Sequence, residues 1–141
     1  MCIRDSKRGV AEVFGTATNS EGVTGKKIWG RAAKWVDYSG PIDGKTMGIS
    51  IFDSPSNLRH PTTWHAREYG LVAANPFGLH HFTKAKKGTG EHELKEGEQL
   101  NLRYRVVFHV GDCQTANVKA LYKDFTETPW PDMQDDVFKN N

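Results

Sequence analysis

Residues 100–110, LNLRYRVVFHV, alternate with a period of two. Leu100, Leu102, Tyr104, Val106, Phe108 and Val110 share one side, and Asn101, Arg103, Arg105, Val107 and His109 share the other. That period fits a pleated strand and no helix. It predicts a strand roughly 35 Å long at about 3.3 Å per residue, with its apolar face buried and its other face largely polar. Such a strand needs antiparallel partners beside it and a second layer over its apolar side.

Other segments can supply them. Residues 32–38 (AAKWVDY) and 46–52 (TMGISIF) read as strands, and Asp43-Gly44 between them is a favoured tight-turn pair, so a β-hairpin is expected. Residues 10–14 and 70–75 read as further short strands, and residues 79–97, polar and glycine-punctuated, as a hairpin or long loop. Ala116, Ala120, Leu121 and Phe125 fall at helical spacing, which predicts a short amphipathic helix within 113–125, capped by Asp112 or Thr115. From residue 126 two prolines flank Trp130, and an irregular tail is expected over 126–141. The expected fold is all-β: an antiparallel two-sheet sandwich over residues 7–125, with one short C-terminal helix.

Residues 1–6, MCIRDS, read as a translated sequencing adaptor. On that reading the native N-terminus lies upstream, the sandwich is a fragment, and Cys113 is the one native cysteine, so no intrachain disulfide is expected. The charge is close to balanced, with 19 basic and 17 acidic residues. That balance, without a basic stripe, implies no nucleic-acid partner and no membrane-surface partner. No apolar run approaches the length that spans a bilayer.

The chemistry gathers in residues 52–78, FDSPSNLRHPTTWHAREYGLVAANPFG. Pro55 and Pro61 exclude a long helix and predict a stiffened loop between strands. His60 and His65 are the candidate acid–base groups, because an imidazole moves protons near neutral pH. Asp53 is the first candidate partner carboxylate, with Asp37 and Glu68 as alternatives. Trp64 and Tyr69 are candidate stacking surfaces for a sugar ring. Arg59 and Arg67 are candidate forks for hydroxyls or a sugar carboxylate, and Asn75 completes the expected ligand-binding set. The His60–His65 spacing lacks a third convergent ligand, although Asp53, His80, His81 and His109 are available, so no metal is assigned. No glycine-rich phosphate loop follows a strand, so no nucleotide cofactor is expected.

The segments WVDYSGPIDGKTMGISIFDSPSNLRHPTTWHAREYGLVAANPFG and GEQLNLRYRVVFHVGD resemble the bacterial PmoA-like family, catalogued as "methane oxygenase PmoA", over about residues 20–125. Ser54 stands where a histidine is common in that pattern, and His81 where an acid is common. The resemblance implies a longer, secreted or periplasmic protein from a carbohydrate-breakdown setting. It does not imply the membrane-spanning methane oxidiser of the same name, since no segment here could cross a bilayer. The GEQL–LRYRV strand is also similar to late strands of the galactose-mutarotase-like supersandwich. A carbohydrate or sugar-acid ligand is thus expected, acted on by an epimerase, lyase or hydrolase, or held by a non-catalytic carbohydrate-binding module.

Overall fold

The computed structural model describes residues 15–128 and the backbone of Cys2–Ile3. The strand expected over 10–14 and the tail beyond residue 128 lie outside the described residues. Seven strands make two antiparallel sheets: β1 (Cys2–Ile3), β2 (Thr16–Asn19), β3 (Trp35–Ile42), β4 (Lys45–Asp53), β5 (Trp64–Arg67), β6 (Leu71–Ala74) and β7 (Tyr104–Val110). The larger sheet has the order β2-β3-β4-β7 and the smaller β1-β6-β5. A 3-10 turn (Gly25–Ile28), a short helix α1 (Leu79–Thr83) and a longer helix α2 (Val118–Glu127) are the helical elements among the described residues.

The central hairpin forms as its turn chemistry requires. β3 and β4 pair from Trp35↔Phe52 to Ile42↔Lys45. Asp43 and Gly44 both take positive φ, 49° and 77°, the combination that matches the twist of a two-residue hairpin. Strand alternation then builds two cores. Val36 and Ile51, with Ala17 of β2, face Trp64, Ala66 and Val72 of the small sheet. Trp35 and Phe52, one residue out of phase, face Val118 and Phe125 of α2 on the opposite side. The layers are therefore small sheet, large sheet, helix.

Three expectations need correction. Residues 52–78 are not one loop: from Trp64 the chain forms a second hairpin, β5–β6, which is most of the small sheet. Residues 79–97 open with α1 rather than a hairpin. The helix expected from residue 113 begins at Val118, because Asp112 caps the turn before it: Oδ1 accepts from the amides of Gln114 and Thr115.

The strand at 100–110 is real but shorter, and its burial is partly reversed. Arg103 amide donates to Asn57 Oδ1, and pairing with β4 starts only at Tyr104. Phe108 and Val110, on the predicted buried face, are 77% and 66% exposed. His109, on the predicted polar face, has a side chain only 6% exposed. Along this strand the α2 side of the large sheet is the drier one.

Candidate functional site

The turn after β4 is organised by Asp53, which is fully buried. Its Oδ1 accepts from Asn57 Nδ2 (2.8 Å). Its Oδ2 accepts from the Thr62 amide (2.9 Å) and from His60 Nδ1 (2.8 Å). Asn57 in turn clamps residue 103: Nδ2 also donates to the Arg103 carbonyl, and Oδ1 accepts its amide. A carboxylate can only accept, so the proton of His60 sits on Nδ1. In the neutral form of the ring Nε2 is then the lone-pair nitrogen, and it has no partner among the described residues. The His60 side chain is 17% exposed. A buried acid thus fixes the tautomer and orientation of an accessible imidazole, which is how a general base is presented.

Two tyrosines feel the Asp53 charge. Tyr122 Oη donates to the Asp53 carbonyl (3.2 Å). The hydroxyls of Tyr104 and Tyr122 are both pushed up to about 12, first by burial and then by the Asp53 charge. Both stay protonated donors at neutral pH.

His65 does not join this group. On β5, Trp64 and Ala66 point into the core while His65 and Arg67 point outward. There the His65 ring meets Phe82 of α1 (centroids 6.3 Å apart), and the Arg67 guanidinium lies 5.2 Å over the ring of Trp29. Trp29 packs edge-on against Phe82 at 5.0 Å. Burial, and then the Arg67 charge, hold the His65 pKa below its ordinary value, so the imidazole is neutral at pH 7.

The remaining expected ligand residues are mostly committed to the fold. Trp64 is completely buried and its Nε1 donates to the Ala33 carbonyl (2.8 Å), so its ring offers no face to a sugar. Arg59 donates to the carbonyls of Pro76, Gly90 and Glu91, tying the turn to the segment after α1. Asn75 Oδ1 accepts from the amides of Phe77 and Gly78, closing a turn. Tyr69 stays half-exposed at the β5–β6 turn. Glu68 is engaged by Lys26 at 3.6 Å. Ser54 Oγ exchanges a hydrogen bond with Ser56 Oγ.

A second buried group was only half-anticipated. His109 Nε2 is 2.7 Å from Asp37 Oδ1, and Ser50 Oγ donates to the same oxygen at 2.6 Å. The residue types are those of a hydrolytic triad but the arrangement is not. Both donors converge on one carboxylate oxygen, so the serine proton is directed at the acid and not at a base. Asp37 Oδ2 and His109 Nδ1 are sealed without a partner among the described residues. Cys113, close by, has its thiol pKa raised by burial and then by Asp37, which leaves it unactivated. Among the described residues no three His, Cys, Asp or Glu side chains gather as a metal would require, and no helix is long and apolar enough to cross a membrane.

A strand-rich sandwich carrying an oriented Asp–His pair on one turn, and an Arg–aromatic cluster on the small sheet, is the class of protein described so far. The chain belongs to DUF6807, a family of unknown function whose model matches residues 2–123. This overturns the PmoA-like resemblance, which the family match does not support. The readings of Ser54 and His81 as departures from a pattern fall with it. No curated protein and no solved structure matches the chain.

Proposed function

We propose that this domain acts on a carbohydrate by general acid–base chemistry, with His60 as the proton-transfer group and Asp53 as the residue that positions it. The observation that carries the reading is the 2.8 Å bond between buried Asp53 Oδ2 and His60 Nδ1, which leaves Nε2 accessible and unpartnered. In its neutral form an imidazole so held accepts a proton at Nε2 from a hydroxyl, and the imidazolium so formed returns that proton to a leaving oxygen, without first rearranging. Asn57 and the Thr62 amide share the same carboxylate and hold it in place. The choice of a hydroxyl-rich ligand rests on the side-chain chemistry of the small sheet, where arginine, histidine and aromatic rings share one exposed face.

The test is His60→Gln in the full chain, assayed on a panel of glycosides and sugar acids by product-resolved NMR. Glutamine keeps a donor for Asp53 but cannot shuttle a proton. Turnover is expected to fall by about 10²-fold or more, with the melting temperature nearly unchanged. Equal turnover in the variant would remove His60 from the mechanism.

A second reading, a non-catalytic carbohydrate-binding module, is favoured by one observation: the oxygens of Asp53 and the guanidinium of Arg59 are already spent on holding the turn. On that reading no sugar on the panel is turned over, yet ligand titrations still show saturable binding that His60→Gln does not alter.

A further inference from the structure

Arg67 is the feature that the acid–base reading leaves unused. It projects from β5 with no hydrogen bond or ion pair among the described residues, its guanidinium stacked 5.2 Å over Trp29. Other arginines are spent: Arg59 on three carbonyls, Arg105 on Asp124 (3.4 Å) and the Phe125 ring. The acid next in sequence, Glu68, is taken by Lys26. A half-buried guanidinium on an aromatic plane, with no carboxylate paired to it among the described residues, is chemically suited to receive an anion.

The surroundings define the shape of that anion. His65 leaves the same face of β5 two residues earlier, about 6.7 Å away along the strand. The Trp29 and Phe82 rings, edge to face, form the adjoining wall. That wall is built in: Phe82 seats directly on Gly30, where any Cβ would overlap its ring, and Gly30 is anchored by its amide to the Trp64 carbonyl (2.8 Å). The indole Nε1 of Trp29 also lacks an acceptor among the described residues. One face therefore offers a charged fork, a neutral imidazole that both donates and accepts, and apolar rings.

The geometry points to a binding site for a carboxylate-bearing sugar, with the carboxylate on Arg67, a hydroxyl on His65 and the apolar ring face against Trp29 and Phe82. The anionic part of this assignment stands on Arg67 alone. The sugar part rests on the carbohydrate reading above.

The experiment is a calorimetric titration of the full chain with glucuronate, glucose and acetate. Glucuronate is expected to bind at least about tenfold more tightly than glucose, since it alone of the two supplies the charged partner, and more tightly than acetate, which lacks the ring. Arg67→Met should weaken glucuronate by about tenfold or more, Arg67→Lys by less, and Trp29→Ala should weaken all ring-bearing probes, each with its fold verified by thermal melting. Phe108→Ser, on the large sheet and in neither group of residues, should leave glucuronate binding unchanged. Equal affinity for glucuronate and glucose, an unaltered Arg67→Met, or no glucuronate binding at all would overturn the assignment. Acetate binding as tightly as glucuronate would overturn its sugar part.

Discussion

Asp53 accepts from Asn57, His60 and Thr62, three donors within its own turn, and sits where no water reaches it. Replacing it with asparagine keeps the volume but removes the charge and turns one oxygen into a donor that faces the Thr62 amide or the His60 ring. The loss is expected at about 2–4 kcal/mol, read as a lower urea midpoint. The same change should bring the two late-titrating tyrosines, Tyr104 and Tyr122, below their values of about 12, because part of their shift is the Asp53 charge; an ultraviolet titration measures this. His65 carries the pH dependence on the small sheet. Its folded pKa lies below the ordinary 6.5, so between the two values the unfolded chain binds more protons than the folded one. Its contribution is complete above about pH 6.5 and is lost as the pH falls through that window. Melting curves from about pH 5 to 8 should therefore be flatter for His65→Gln than for the parent chain. A steeper acid-side fall in the variant would contradict the sign of the shift.

At the level of elements, the large sheet is cross-tied by His109. The ring starts on β7, passes over Gly48 of β4 and reaches Asp37 on β3. A Cβ at Gly48 would fall inside the imidazole. Gly48→Ala should displace the ring, strand Asp37 without its partner and cost about 2–4 kcal/mol. In His109→Ala the ring is gone, so adding Gly48→Ala should then cost under about 1 kcal/mol; the double-mutant cycle reads this coupling directly. Additive losses would mean that the ring does not cross Gly48. This tie explains what the sequence could and could not reveal. The alternation of 100–110 was legible as a strand, and Asp43-Gly44 as its neighbours' turn. Which side of the strand is dry was not, because that depends on where α2 and the small sheet settle, and the glycine that admits His109 is 61 positions away from it. β5 is only Trp64–Arg67, too short for its own period to stand out among prolines. The pairing of Asp53 with His60 was legible as a candidate because both lie in one stiffened turn. Trp29 was not: it follows Gly-Lys-Lys-Ile with no pattern, and only the packing of α1 brings Phe82 to it.

At the scale of the whole molecule, the two cores are unequal in extent. The small sheet covers Ala17, Val36 and Ile51, but the large sheet runs on past it. Register carries the uncovered face from Val106 to Phe108, opposite Ile49, and to Val110, opposite Met47. Phe108 and Val110 stay exposed there, with Ile42 at the hairpin end also exposed. Burial, not hydrophobicity, decides what such residues contribute to stability. Trp64 is wholly enclosed between the sheets and also donates to Ala33, so Trp64→Ala should cost about 3–5 kcal/mol. Phe108→Ser removes a ring that already faces solvent, and should change stability by no more than about 0.5 kcal/mol while raising solubility. Urea unfolding of the two variants beside the parent chain makes the comparison. Trp64→Ala loosens the sandwich between its sheets; Phe108→Ser leaves both cores intact, since neither contains that ring. A loss of 2 kcal/mol or more in Phe108→Ser, about what burying a large apolar side chain is worth, would mean that this end of the large sheet is covered in solution.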